Sequence, residues 1–432
     1  MRQQFWKYVI PSMISFLVTG IYISVDGFFV GRAVGDIGLA SINIAWPVAS
    51  LILALGTGIG MGGAVNLSNH LGAGETEKAD KALGNTLTLL LLASVTLSII
   101  LLLCGRPLLQ LIGAEGKILD LSDGYLKILA FGAVLQVFGT GITPLLRNQD
   151  QTWVAMVLMI TNCVIDTVLS GVLVMVLGLG VTGAALATLV GQFIAVVPAL
   201  MILLKKERRI AASFYRLGKT AVRQIVKAGV PVMGLTFIPS LTIMVINRQA
   251  LAYGGIAGVA AFAVVSYILS VGQLLMQGVG EGSQPLVSFY HGANDSNVVK
   301  QLRRWTYHTA IVISLIATTG IIILHQVIPN MFGVSKETAD ILNVALPISA
   351  LSLPLYAFSR VTTEYFNAIK RSRYAATMVY GEALVFLPLC AVTLPLVLKL
   401  NGVWGSLVLV QLMLLFVGLF LRMKSHYPGG II

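Results

Sequence analysis

Apolar residues do not alternate along this chain. They run in blocks of about 20, the length a helix needs to cross a bilayer. Thr86 to Leu103, Trp153 to Leu177, His308 to Leu324 and Trp404 to Leu421 each hold at most one formal charge. Strands of a membrane barrel would be shorter and would alternate apolar with polar positions. The blocks predict helices near 7–31, 37–69, 83–104, 119–146, 152–176, 180–204, 226–251, 257–290, 304–327, 341–367, 374–398 and 402–423. The expected fold is therefore an all-α polytopic membrane protein of twelve spans. Composition agrees: 57% of the 432 residues are hydrophobic and 11% are charged. A soluble domain carries roughly 25% charge.

A shift of 220 residues lays 11–74 on 231–294 without a gap, with fifteen identities. Pro11 meets Pro231. Gly35, Gly38, Gly58, Gly60, Gly62 and Gly72 meet Gly255, Gly258, Gly278, Gly280, Gly282 and Gly292. Leucine matches would mean little in such a chain. Glycine and proline matches mark special backbone positions. Each half then holds six spans, and an even number gives a parallel repeat with a cavity between the halves. The expected organisation is a six-helix lobe over 1–204, a basic cytoplasmic linker over 205–225 and a second lobe over 226–432.

The net charge of +12 could suggest nucleic acid, but its placement does not. With the N-terminus inside, 21 of the 29 Lys and Arg fall on one side, five on the other and three within spans. That is the positive-inside pattern, so both termini are expected in the cytoplasm of a cell inner (plasma) membrane. The basic groups face anionic headgroups, and no nucleic-acid partner is needed. Cys104, Cys163 and Cys390 have no metal spacing and read as small buried hydrophobes. No cofactor is expected.

Charges within spans cost on the order of 3 kcal/mol each. Five acids persist there: Asp26, Asp166, Glu281, Glu364 and Glu382. Asn162 and Asp166 are spaced i, i+4 and share a helix face. At 1.5 Å per residue, Asp26 lies about 27 Å and Asp166 about 21 Å along their spans, both in the outer half of the membrane. Two carboxylates and a carboxamide meeting at low dielectric favour a bound proton or cation. If the ion is Na⁺, Asp26, Asn162 and Asp166 are its candidate ligands. Under the 220 shift Asp26 meets Ile246 and Asp166 meets Phe386, so the pair is not duplicated. Glu281 and Glu364 lie near cytoplasmic ends, where snorkelling or pairing with bases is expected. Glu382, with Arg248 as its obvious charge partner, and Glu281 are candidates for the substrate cavity.

At these residues the chain resembles the multidrug and toxic compound extrusion (MATE) family. Val25-Asp26-Gly-Phe-Phe-Val-Gly31, with Gly38-Leu-Ala40 and Pro47, is similar to that family's first two helices. Asn162-Cys-Val-Ile-Asp166 resembles its fifth, Gly180-Val-Thr-Gly183 its sixth, and Gln284-Pro285 with Gly292-Ala293 its eighth. Thr167 stands where the helix 5 motif often has proline, so a different local bend is expected. The resemblance implies a V-shaped carrier exporting organic compounds against Na⁺ or H⁺, with Asp26, Asn162 and Asp166 in the ion site and Thr188 as a further candidate ligand. The expectation is thus an antiporter for lipophilic or cationic organic compounds, acting as a monomer in the lipid bilayer. A flippase for a lipid-linked saccharide is the second reading; it would call for more basic residues in the cavity than Arg248 and Arg360. A channel uses the same parts. An enzyme is disfavoured, because His70, His291, His308, His325 and His426 are dispersed and no nucleophile–base pair stands out.

Overall fold

The computed structural model describes residues 1–205 and 215–426, without the side chains of residues 23, 24, 26–28, 36, 425 and 426. Fifteen α-helices follow one another, with no strand among the described residues. In the first half these are α1 (Arg2–Val34), α2 (Asp36–Gly72), α3 (Thr76–Leu111), α4 (Gly116–Phe131), α5 (Ala133–Arg147), α6 (Thr152–Ser170) and α7 (Gly180–Leu204). The second half has α8 (Lys219–Gly292), α9 (Ser296–Leu324), the short α10 (Ile328–Phe332), α11 (Lys336–Ala350), α12 (Ser352–Ala368), α13 (Ser372–Gly381), α14 (Leu387–Leu398) and α15 (Leu400–His426). A π-helical segment, Gly171–Val176, ends α6, and another, Glu382–Phe386, joins α13 to α14.

Nine helices among the described residues are long and apolar enough to cross a membrane, counting α11–α12 and α13–α14 as one each. The pair α4–α5, bent by 61°, adds a tenth. The 74 residues of α8 would extend about 110 Å if straight, far more than a bilayer. The helix breaks at Gly255, whose φ of 58° and ψ of −153° are open to glycine and costly for other residues, so α8 is two spans. With α1 the total is the expected twelve. Its first limb begins at Lys219, inside the segment expected to be a linker; residues 206–214 of that segment lie outside the description.

The 220-residue repeat now extends through both halves. Helices begin at 76 and 296, 116 and 336, 152 and 372, and 180 and 400. Gly35, with φ 76° and ψ −160°, makes at the start of α2 the same break that Gly255 makes in α8. Positive φ recurs at Gly74 and Asn294, Gly113 and Gly333, and Asp150 and Lys370. The bends repeat as well. A broken helix frees carbonyls that lipid cannot satisfy. Where α4 breaks, Ser98 Oγ donates to Ala130 O at 2.6 Å; where α11 breaks, Thr318 Oγ1 donates to Ala350 O at 3.1 Å. Each pair lies 220 residues from the other.

Packing divides the chain elsewhere than the repeat does. One compact unit is Leu17–Phe237; the other joins Met1–Phe16 to the residues from Ile238 onward. Both α1 and the first limb of α8 therefore begin in one unit and end in the other. The glycines explain the contacts. Gly58 and Gly62 of α2 bring its backbone against Met233, Gly229 and Ile225. Gly278 and Gly282 bring the second limb of α8 against Met13, Val9 and Tyr8 of α1. Met13 and Met233 are repeat partners, so each half receives the opening turns of the other. In the Leu17–Phe237 unit the apolar core includes Val30, Ile52, Leu67, Leu83, Leu126, Leu146 and Ile225. In the other it includes Phe5, Val9, Val265, Leu302, Phe366 and Trp404.

Candidate functional site

In the first half the polar centre lies on α6. Asp166 is buried at 1% exposure and Asn162 is half-buried one turn before it. Gly191 of α7 faces both. A β-carbon there would lie 2.8 Å from Asn162 Oδ1 and 3.4 Å from Asp166 Cβ. The glycine thus lets α7 pack its backbone closely on the amide and carboxylate, where any larger residue would collide with the amide oxygen. Asn162 Oδ1 is itself shielded and has no hydrogen-bond partner among the described residues. A buried carbonyl oxygen without a donor costs about 1–3 kcal/mol, and a bound cation is one way to satisfy it.

Asp26 is described by its backbone only, and its side chain lies outside the described residues. Two contacts set the register of its helix. Thr19 of α1 hydrogen-bonds with Cys163 of α6, and Phe29 packs on Gly171. The backbone of Asp26 lies between these two rungs, within about two turns of the level of Asp166. Thr188 is half-buried on α7, and its Oγ1 donates to Ala184 O at 3.2 Å. Asn162 and Asp166 are thus brought together, with α1 running beside them.

The second half carries a larger polar assembly. Glu281 of α8 and Arg360 and Glu364 of α12 are each at most 5% exposed. Arg360 Nη2 lies 3.4 Å from Glu281 Oε1 and 3.1 Å from Glu364 Oε1. Gln277 Nε2 donates to Glu281 Oε1 at 2.8 Å. Snorkelling is therefore not what Glu281 and Glu364 do: they turn inward onto an arginine. Gly280 allows this, since a β-carbon there would press on Glu364 Cγ at 3.1 Å. Glu382 begins the π-helical segment and is half-buried. Its Oε1 accepts from Gln411 Nε2 of α15 at 2.7 Å, and Gln411 Oε1 accepts from Ser359 Oγ at 2.9 Å. Arg248 is exposed, and its described surroundings include no ion pair; Arg360 holds the place beside the acids that Arg248 was expected to compete for.

Sequence reasoning did not find Gln411 or the central place of Arg360. The repeat carried a signal for the first. Counting 220 residues on from Asn162 gives Glu382, and from Gly191 gives Gln411. The amide and the glycine packed on it in the first half thus become a carboxylate and the amide that covers it.

The comparisons with known proteins converge. The family model MatE matches twice, over residues 11–172 and 231–392, an offset of 220. The multidrug export protein MepA of Staphylococcus saprophyticus is 24% identical over 406 residues, covering 92% of this chain and 86% of that one. MepA of Staphylococcus haemolyticus is 22% identical over 414 residues, covering 95% and 91%. A solved structure described as the outward-facing conformation of a multidrug resistance MATE family transporter of the MOP superfamily aligns with a TM-score of 0.92 and 25% identity, covering 98% of this chain and 95% of that one.

Proposed function

Since this chain belongs to the MatE family of multidrug efflux transporters and is a multi-pass membrane protein, we propose that it works as an antiporter and not as an enzyme. It exports organic, lipophilic or cationic compounds in exchange for Na⁺ or H⁺ by alternating access. The observation that carries the ion half of this reading is the shielded Oδ1 of Asn162, without a hydrogen-bond partner among the described residues, beside buried Asp166 and under the closely packed Gly191. An amide oxygen and a carboxylate suit a small hard cation, and a carboxylate alone suits a proton.

The roles follow from the chemistry of each residue. Asp166 supplies the charge that the entering ion neutralises. Asn162 supplies a neutral oxygen that binds Na⁺ but leaves a proton to the carboxylate. Asp26, on the neighbouring helix, supplies a second charge. Ion and compound need not touch; each need only favour a different state of the carrier. The basic side of the chain faces the cytoplasm, so the compound leaves that compartment as the ion enters it. The flippase reading needs basic groups free for a lipid phosphate, and Arg360 is already engaged by Glu281 and Glu364.

Proteoliposomes test the proposal. The reconstituted protein should move a fluorescent organic cation against its gradient when an opposing Na⁺ or H⁺ gradient is imposed. Asp26→Asn and Asp166→Asn should each uncouple the two movements. Coupled transport that survives both changes would remove the ion site from the first half. Sodium dependence at fixed pH identifies the ion.

A further inference from the structure

At one helix interface the second half holds buried carboxylates that the first half lacks at the matching positions, yet it also holds an arginine. Glu281, Arg360 and Glu364 correspond through the repeat to Met61, Thr140 and Pro144. In the first half that interface is backbone on backbone, with Gly60 of α2 against Gly141 of α5. In the second it is an ion network 95% or more buried at every member. A guanidinium cannot be deprotonated in a protein. Its charge is a permanent part of the site, unlike that of a transported ion.

We propose that Arg360 is a built-in counter-cation: with Arg303 nearby it balances Glu281 and Glu364, so that this buried pair takes up no coupling ion. This rests on the antiport reading above. The geometry is that of an ion being held. One nitrogen, Nη2, reaches both carboxylates, from opposite helices, where a small cation would otherwise sit. Arg303 of α9 lines the same small cavity as Glu364, and its Nη1 donates to Tyr365 Oη at 3.3 Å. Two carboxylates and two guanidiniums thus meet in this region. Tyr356 and Glu382 also act on Arg360 through space; Glu382 has the Gln411 amide as its own partner. Without Arg360, two buried carboxylates would lose the guanidinium that lies between them, and one of them would take a proton. A site that gains and loses a proton within a moving carrier adds that proton to the exchange.

Two readouts test the role, and neither depends on activity alone. The first counts protons taken up by the purified full chain in detergent between alkaline and mildly acidic pH. The second plots the logarithm of the equilibrium substrate ratio across proteoliposomes against the imposed pH difference at zero membrane potential; its slope is the number of protons exchanged. Arg360→Met should bind one more proton than the parent and raise the slope by one. Arg360→Lys should match the parent in both, because it keeps the charge. Arg360→Met/Glu364→Gln should return both to the parental values, because the imbalance is gone. Unchanged proton uptake in Arg360→Met overturns the proposal. So does a double variant as defective in folding as the single one, since the guanidinium would then serve packing. If Arg360→Met is poorly folded and the double variant recovers, charge balance is the role. The proton count stands even if no coupled transport is found, so failure of the antiport reading is told apart from failure of this one.

Discussion

The two halves share a backbone and differ in what they bury. The first closes α2 on α5 through glycine backbones and keeps, beside an aspartate, an amide oxygen without a donor among the described residues. The second closes the same interface over an arginine held by two glutamates, and covers the acid at the amide's position with a glutamine. The difference separates two uses of charge in lipid. A charge with its partner built in holds helices together and is costly to break. A polar group left short of a partner stores that cost until a ligand arrives. The same scaffold can then bind an ion in one half and be locked in the other.

The largest effect should come from the first half. Asp166→Asn is expected to cut ion-driven efflux by on the order of 10- to 100-fold, the usual size of a coupling between sites, with folding retained. Gln411→Ala removes the second half's cover from Glu382 and should leave ion dependence unchanged while altering substrate affinity. Competition assays with a fluorescent cation at saturating ion measure both. An equal loss of ion dependence in the two variants would abolish the functional contrast.

Next in size is a pair of glycine changes. A β-carbon at Gly60 meets the backbone of Gly141, which cannot yield; one at Gly280 meets the side chain of Glu364 at 3.1 Å, which can turn aside. Gly60→Ala should cost about 1–3 kcal/mol by overpacking and Gly280→Ala clearly less, read as the fall in Tm in detergent. Ser98→Val and Thr318→Val should match each other, at about 1 kcal/mol apiece for one lost hydrogen bond to a freed carbonyl. A large disparity there would show that the shared bends are not equally supported.

The smallest effect lies at the repeated connection before α3 and α9. Lys78, and after it His70, holds the exposed Glu75 carboxyl below its ordinary pKa of 4.5. A lowered pKa means that the contribution is full above 4.5 and fades as pH falls through the lowered value. Glu75→Gln should therefore reduce Tm slightly at neutral pH and not at all in strong acid. Its counterpart Asp295 instead caps α9, accepting from Val298 N at 3.1 Å, and its removal should cost somewhat more.

The spans, the repeat and the Asn162–Asp166 pairing were legible because each depends on local spacing. The length of an apolar block, a glycine coinciding with a glycine and an i, i+4 interval all survive in one dimension. The helix breaks before Ala133 and Ser352 were not, because the Gly132 and Pro354 beside them look no different from Pro47 and Pro107, which lie inside unbroken helices; the freed carbonyls are captured by Ser98 and Thr318 from another helix. The partner of Glu281 was missed for a related reason. Arg248 and Arg360 look alike in sequence, and only packing shows that one is exposed and the other buried between two acids. The division of α1 and α8 between compact units was hidden too, since hydropathy cannot say which neighbour a helix chooses.

That division bears on how the molecule is made. The unit that contains α2 to α7 includes residues up to Phe237, so it cannot close when the first six spans have left the ribosome. It must wait for the start of the second copy. Met1–Phe16, synthesised ahead of α2, finds its neighbours Gly278 and Gly282 only after some 270 residues have followed. Domains that usually mature one after another during synthesis are here obliged to finish together, and a chain cut at the midpoint would leave each fragment holding a piece of the other.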